Sequence, residues 1–280
     1  MTLLELRGVS KSFPGVHALY DVETGEVHAL IGENGAGKST LIKLLSGVYE
    51  RDSGSIRFRG DTINFSSPYE SQQAGIRTLF QEFNLLPKLT VAENIFLGSE
   101  SRYRWMPLIN WKAMQQEARH ILDELELDIS PDMPVQALNV AEQQMVELAK
   151  MLRSQATLLI MDKPTATLSQ PEVLTLFRLI RRIKARGVGI IYVSHRLDDV
   201  MTIADRATIL RDGRQVVTVD IAESSVKALA QLMSGRPLMV RASRLKPFVG
   251  VERCCVLNIS RARRCFKRCH FAYAKARSWA

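Results

Sequence analysis

The sequence predicts an α/β fold with a mainly parallel sheet, and three observations lead to that prediction. Apolar, β-leaning runs alternate with amphipathic helical stretches over the first 240 residues. One of these runs, Val27–Ile31, leads into a glycine-rich loop that is followed at once by a helical segment. Two later apolar runs end in a polar side chain, Asp162 and His195, which is typical of buried parallel strands that offer ligands at their carboxyl edge.

The glycine-rich loop fits the spacing G-x-x-x-x-G-K-[ST] from Gly32 to Ser39 and predicts a P-loop NTPase fold. Its glycines let the backbone turn tightly so that N–H groups face phosphate oxygens, and the helix that follows adds its positive N-terminal end. Lys38 is expected to reach the β- and γ-phosphates, and Ser39 to bind Mg²⁺. The alternative is a strand–helix turn that binds nothing. The predicted nucleotide-binding residues of the loop are Gly32, Glu33, Asn34, Gly35, Ala36, Gly37, Lys38, Ser39 and Thr40.

The early part of the chain contains the strands of a predicted antiparallel edge subdomain. Leu3–Val9 alternates apolar and polar residues, and Ser53–Asp61 favours two edge strands joined by a tight Gly60-Asp61 turn. Tyr20–Glu26 is short for a strand plus a turn, which puts the regularity of this edge sheet in question. Gly75–Gln81 is predicted to be a strand that ends in a polar loop.

An all-helical subdomain is predicted over residues 85–154. Apolar residues recur at helical spacing in Trp111–Leu127 and again in Ala141–Leu152, and charged residues occupy the opposite face of both segments. The nucleotide-binding core is therefore assigned to residues 1–84 and 155–220, and core and helices together form one domain, residues 1–240.

Strand character returns in the second half of this domain. Thr157–Asp162 and Gly189–His195 are apolar runs that predict buried parallel strands. Between them, Pro171–Arg186 is predicted to be an amphipathic helix. Ala207–Val219 favours a hairpin around Asp212-Gly213.

The net charge of +9 is unevenly distributed. Residues 241–280 hold 11 of the 38 basic residues but only one of the 29 acidic ones, so residues 1–240 carry 27 bases against 28 acids. All four cysteines, at positions 254, 255, 265 and 269, also lie in this basic tail, so the body carries no disulfide pattern. No apolar run approaches the ~20 residues of a membrane span and the first residues do not form a signal peptide, so we expect a protein of the cytoplasmic side.

Five motifs or single residues along the chain together resemble those of the ATPase of an ATP-binding cassette (ABC) transporter. They are the phosphate loop, Gln81 at a strand end, Leu138–Gln144 at a helix start, and Asp162 and His195. The resemblance covers roughly residues 3–240. It is strongest to the N-terminal cassettes of bacterial importers of ribose, galactose and xylose, through the phosphate loop, Phe80–Glu82 with Leu89–Ile95, and Tyr192–Leu197.

This resemblance implies ATP and Mg²⁺ as ligands and assigns roles to individual residues. Gln81 and Ser39 would ligate Mg²⁺, and Asp162 would hold the ion through water. His195 would contact the γ-phosphate and help to position the attacking water, and Phe13 would stack on adenine. A signature segment, formed by Leu138, Asn139, Val140, Ala141 and Glu142, would cap the γ-phosphate bound by a second cassette.

Three departures from the family pattern affect the predicted site. Lys163 stands where the family carries the glutamate that acts as general base, and an ammonium cannot accept the proton of the attacking water at neutral pH. The cation can still pair with the γ-phosphate, so ATP binding is expected to survive. Asn139 stands where the usual serine donates to the γ-phosphate, and Ser169 where many cassettes place an aspartate.

The tail of residues 241–280 has two interpretations. Members of the resembled group usually carry two cassettes in a chain of roughly twice this length, and here the second is absent. Codons for the last seven residues exist that, shifted by two bases, encode Lys-Gly-Glu-Ile-Leu-Gly, a sequence suited to the strand before a second phosphate loop. We therefore consider the tail out-of-frame coding, and the alternative is a zinc or nucleic-acid site.

The expected function is that of an ATP-binding subunit that couples ATP binding and hydrolysis to sugar import. Its expected partners are membrane permease subunits, a periplasmic sugar-binding protein and a second cassette in trans, without nucleic acid. Its expected place is the cytoplasmic face of the bacterial inner membrane. The alternatives are a cassette that binds ATP without hydrolysing it, because of Lys163, and a truncated remnant with no role in transport.

Overall fold

A computed structural model describes residues 2–11, 16–80, 84–98, 104–105, 108–153 and 156–235. The chain divides into two units, residues 1–239 and 240–280, and every described residue belongs to the first. The predicted basic tail, residues 241–280, lies outside the described residues.

Strands and helices alternate through the described part of the chain. Its strands are β1 (Thr2–Lys11), β2 (Val16–Glu23), β3 (Val27–Gly32), β4 (Ser53–Phe58), β5 (Asp61–Ile63), β6 (Ile76–Leu79), β7 (Arg104–Trp105), β8 (Leu108–Ile109), β9 (Leu158–Asp162), β10 (Gly189–Val193), β11 (Arg206–Arg211) and β12 (Arg214–Asp220). Its helices are α1 (Lys38–Leu45), α2 (Pro68–Gln73), α3 (Val91–Phe96), α4 (Trp111–Glu124), α5 (Val140–Arg153), α6 (Gln170–Ala185), α7 (Leu197–Ile203) and α8 (Val226–Ser234).

Ten of these strands form one sheet in the order β5-β4-β1-β2-β12-β11-β3-β10-β9-β6. The run β11-β3-β10-β9-β6 is parallel throughout. At the other end β5, β4, β1 and β2 pair antiparallel, and β12 joins this edge to the parallel part. The predicted α/β class with a mainly parallel core and an antiparallel edge is confirmed.

The segment Tyr20–Glu26 accommodates both the end of a strand and a turn, contrary to the expectation that it is short for the two. Strand β2 extends to Glu23, and a turn at Thr24-Gly25, with Gly25 at φ 66°, leads directly into β3. The Glu26 carboxylate stabilises this turn by accepting the backbone N–H of Glu23 at 2.6 Å. Seven of the eight β2 residues therefore pair with β1, with two register shifts along the ladder, and the pairing extends up to the turn.

Several element boundaries differ from the sequence-based expectation; β10, for example, ends at Val193, two residues before His195, and two of the other differences share a reason. The β4–β5 turn is centred on Arg59 and Gly60, one residue earlier than expected, and α4 ends at Glu124 rather than Leu127. In both places a non-glycine residue adopts the left-handed region, Arg59 at φ 56° and Glu126 at φ 55°. Neither residue type indicates that conformation in a sequence.

Side chains of the parallel strands alternate between two apolar clusters, one on each face of the sheet. On β3, Val27, Ala29 and Ile31 contact the cluster formed with α5 and α6, whereas Leu30 contacts the cluster formed with α1. Strands β9 and β10 follow the same alternation. Because both faces are covered, these strands are apolar at nearly every position, as the sequence indicated. None of the helices in the described ranges is long and apolar enough to cross a bilayer.

Candidate functional site

The sheet topology brings the predicted site residues to one edge. Strand β10 lies between β3 and β9, with Val193 level with Leu30 on one side and with Asp162 on the other. Neighbouring strands lie about 4.8 Å apart, so the ends of β3, β10 and β9 fall within about 10 Å. The phosphate loop that follows β3, the Asp162 side chain and the segment around His195 therefore meet at the carboxyl edge, where α/β folds bind ligands.

The backbone of the phosphate loop depends on glycine at two positions. Gly32 ends β3, and a Cβ atom added there would lie 2.3 Å from the carbonyl oxygen of Leu210, so no larger residue fits. Gly37 adopts φ 98° immediately before α1, and no side chain caps that helix. The first N–H groups of α1 therefore remain as donors at the mouth of the loop, beside the exposed residues Glu33 to Gly35 and Ser39.

Lys38 is buried and folded back over the loop. Its Nζ donates to the carbonyl oxygens of Gly32 at 2.7 Å and of Glu33 at 2.9 Å. Burial lowers the pKa of Lys38, repulsion from Lys163 lowers it further, and attraction to Asp162 opposes both. An ammonium group has three N–H donors, so the group is oriented by the loop and keeps one donor for an anion.

Asp162 ends β9 with a half-buried carboxylate. Its Oδ1 atom is buried and has no hydrogen-bond partner among the described residues. Burial raises the pKa of Asp162, while the positive charges of Lys163 and Lys38 lower it. The Asp162 carboxylate thus interacts with the ammonium groups of Lys38 and Lys163, and the charges of these three residues form one electrostatic unit.

Lys163 follows Asp162 with φ 51°, a left-handed conformation that few non-glycine residues adopt. Its backbone N–H donates to the carbonyl oxygen of Val193 at 2.9 Å, which joins this turn to the end of β10. Its side chain lines a small cavity together with those of Asp162, Gln144 and Thr167. The ammonium group of Lys163 therefore belongs to the residue position at which the family resemblance places the general base.

Helix α5 also holds the turn after β9. The Gln144 amide of α5 donates to the carbonyl oxygen of Pro164 at 2.6 Å, and Gln144 is 4% exposed. Because α5 begins within the signature segment, at Val140, the start of that helix and the turn that carries Lys163 are directly linked.

The signature segment forms a capped helix start. The Asn139 side-chain oxygen accepts the N–H of Glu142 at 2.9 Å, and the Glu142 carboxylate accepts the N–H of Asn139 at 2.8 Å. Leu138 and Ala141 are buried, whereas Asn139 and Val140 are exposed. An asparagine uses only its oxygen in such a cap, so its amide N–H groups can still act as donors.

The structure does not describe every predicted site residue. Phe13 and Gln81 lie outside the described residues, although β6, which leads towards Gln81, pairs with β9 beside Asp162. His195 is exposed, and its two neighbours in the chain are linked because the N–H of Arg196 donates to the Ser194 side chain at 3.0 Å.

Sequence reasoning assigned no supporting role to the buried polar residues that hold the site in place. Gln144 and the Thr165–Asp199 pair, joined at 2.6 Å, lie behind the predicted residues rather than among them. The available signal was weak, since it consisted of a threonine after Lys163-Pro164 and an aspartate one helical turn beyond His195.

Known proteins share both this sequence and this fold. The chain is 50% identical over 240 residues to the putative ribose/galactose/methyl galactoside import ATP-binding protein 1 of Agrobacterium fabrum (strain C58 / ATCC 33970), an alignment that covers 84% of this chain and 47% of that protein. It is 48% identical over 240 residues to a protein 2 of the same description from Burkholderia cenocepacia (strain HI2424), with the same two coverages. The chain thus spans about half the length of these curated relatives.

A solved structure and a family model agree with these relatives. The crystal structure of the ADP conformation of an ATP-binding cassette of an ABC transporter superposes with a TM-score of 0.70 at 26% identity, over 84% of this chain and 96% of that one. The family model described as ABC transporter matches residues 17–166, more than half of the sequence. The chain belongs to the ABC transporter family.

Proposed function

We propose that this chain is the ATP-binding subunit of a bacterial sugar importer, in which ATP binding and hydrolysis drive a sugar through a membrane permease. The observation that supports this most strongly is the convergence of the phosphate loop, Asp162 and His195 at one edge of the sheet. The relatives named for ribose, galactose and methyl galactoside import make a monosaccharide the expected cargo.

ATP would lie across the ends of β3 and β10 with its phosphates in the loop of residues 32–40. The α1 N–H groups and the free donor of Lys38 would bind the phosphate oxygens. His195 would contact the γ-phosphate, and the adenine would stack on Phe13. Residues 138–142 would cap the γ-phosphate held by a second cassette, with the amide of Asn139 as a donor.

The residues at this edge fit a magnesium ion. Mg²⁺ prefers hard oxygen ligands and retains several waters, and the site offers the exposed Ser39 hydroxyl and the unpartnered Oδ1 of Asp162. Gln81 would add an amide oxygen. When bound, the ion would screen the phosphate charges, whereas the residues of the chain would align the nucleotide.

The chain would act at the cytoplasmic face of the inner membrane as a peripheral subunit. Permease subunits, a periplasmic sugar-binding protein and a second cassette in trans would complete the importer. The second cassette is required because the signature segment of one cassette caps the nucleotide of the other.

Lys163 favours a second candidate function, a cassette that binds ATP and docks on the permease but does not hydrolyse the nucleotide. Its ammonium lies in the same electrostatic unit as Lys38 and Asp162, where it stabilises the γ-phosphate in the ground state. Removal of a positioned general base typically costs ~10²–10⁴-fold in rate. Under this candidate a partner cassette would supply the hydrolysis.

Reconstitution separates the two candidates. The full chain, in two copies so that each supplies the second cassette to the other, would be combined with the permease and sugar-binding protein of a ribose/galactose-type importer in inverted vesicles. Mg-ATP and labelled sugar would be added, with Lys38→Ala as the matched control. The main proposal predicts that the chain associates with the permease and that only the wild type supports ATP-dependent sugar movement. Association without sugar movement would favour the second candidate, and absence of association would contradict both.

A further inference from the structure

A cluster of buried polar side chains lies directly behind His195, and the role proposed for the site does not account for it. Thr165, Tyr192 and Asp199 are 1%, 0% and 4% exposed, and they come from the turn after β9, from β10 and from α7. A buried carboxylate is costly unless charged or hydrogen-bonding groups surround it. The polar groups of this cluster therefore need hydrogen-bond or ion-pair partners within the protein.

The hydrogen bonds in this cluster have a single consistent direction. The Thr165 hydroxyl donates to Asp199 Oδ2 at 2.6 Å. Because that uses its only hydrogen, the Tyr192 hydroxyl is the donor in the 3.4 Å contact with Thr165 Oγ1. Burial raises the pKa of Tyr192, so this hydroxyl keeps its proton at neutral pH.

Arg196 links this cluster to the chain on both sides of His195. Its Nη1 donates to the carbonyl oxygen of Thr165 at 3.3 Å, and its Nε lies 3.6 Å from Asp199 Oδ2. Its backbone N–H is held by Ser194, itself 2% exposed. His195 is thus an exposed residue between two fixed neighbours, and both ends of its loop are attached to the turn that carries Lys163.

From this geometry we infer that Thr165, Arg196 and Asp199 are positioning residues that hold the His195 imidazole where the γ-phosphate of ATP will lie. The inference rests on the proposed function, because His195 has this use only in a nucleotide site. The cluster contacts no nucleotide itself and acts through the backbone of residues 194–196. It therefore affects ligands that carry a γ-phosphate and leaves ADP unaffected.

Asp199→Asn in the full chain tests this positioning role, with Asp198→Asn as the matched control. Asp198 is the adjacent, exposed carboxylate of α7, so the control makes the same charge change one residue away. Affinities for ATP and ADP are measured by calorimetry in the wild type, in both variants, and in each variant combined with His195→Ala. Thr165→Val and Thr165→Ser provide a second pair, in which only serine keeps the hydroxyl.

Asp199→Asn and Thr165→Val are expected to weaken ATP binding about tenfold while leaving the ADP affinity unchanged, and Thr165→Ser to restore it. In the His195→Ala background the same substitutions should have no further effect, because the residue they position is gone. Equal losses for ATP and ADP, or losses that add to that of His195→Ala, would overturn the inference.

A second measurement keeps the two proposals distinguishable. If the wild type and Lys38→Ala bind ATP equally, the proposed site fails, and the positioning role is then judged by NMR of the His195 ring. The inference requires that Asp199→Asn shift or broaden those ring signals while Asp198→Asn leaves them in place. Unchanged signals in both variants would overturn it.

Discussion

Replacement of Lys163 by glutamate is the most informative single perturbation of this site. The change removes a positive charge and adds a negative one beside Lys38 and Asp162, and it introduces the carboxylate that can accept a proton from water. Lys163 lowers the pKa of both neighbours, so the substitution should raise both pKa values. Both shifts follow from the same exchange of charge.

The expected gain in hydrolysis follows from the value of a general base. Such a group typically contributes ~10²–10⁴-fold in rate, equivalent to about 3–5 kcal/mol of transition-state stabilisation. Single-turnover hydrolysis of labelled ATP, in the presence of permease or a complete paralogous cassette, measures this gain directly. Under the proposed function the partner must be present, because the signature segment would act on the nucleotide of a second cassette.

Two control variants make the outcome specific. Lys163→Gln removes the cation without supplying a base and should leave hydrolysis near background. His195→Ala combined with Lys163→Glu should lose most of the restored rate. Robust turnover by the unmodified chain that His195→Ala abolishes would exclude the second, non-hydrolysing candidate and refute this reasoning, because a glutamate at this position would then be dispensable.

Two further predictions concern stability. Deletion of residues 241–280 should leave the melting temperature of the remaining chain unchanged or raised, since the tail carries no amphipathic period; a large fall in calorimetry would contradict this. Gly32→Ala should lower the free energy of unfolding by about 1–3 kcal/mol in urea titrations, because the added Cβ would lie 2.3 Å from the carbonyl oxygen of Leu210. An unchanged midpoint would contradict this and show that β11 moves aside easily.

The parts of the fold and site that the sequence predicted are those encoded by local spacing. The phosphate loop is contiguous, so one motif identifies its glycines and Lys38. Asp162 and His195 were predicted because apolar strands covered on both faces end in polar residues at a common edge. The parallel topology then brought them together without further information.

The parts that escaped prediction depend on side chains that meet only after folding. Thr165 and Asp199 are 34 residues apart in the chain, and Gln144 reaches the Pro164 carbonyl from another helix. No periodicity links such pairs, because each residue alone is an ordinary helical or turn residue. The left-handed conformation of Lys163 was equally hidden, since it accompanies a backbone hydrogen bond to Val193 and is not indicated by residue type.

The central claim is that the loop of residues 32–40 is a nucleotide site in which Lys38 binds the phosphates. Calorimetric titration of the full chain with Mg-ATP, for the wild type and Lys38→Ala, tests it most directly. A hydrogen bond to a charged group is worth about 1.5–3 kcal/mol, so the account predicts ATP binding by the wild type and roughly 10–100-fold weaker binding by the variant. Equal affinities, or no binding by the wild type, would contradict it.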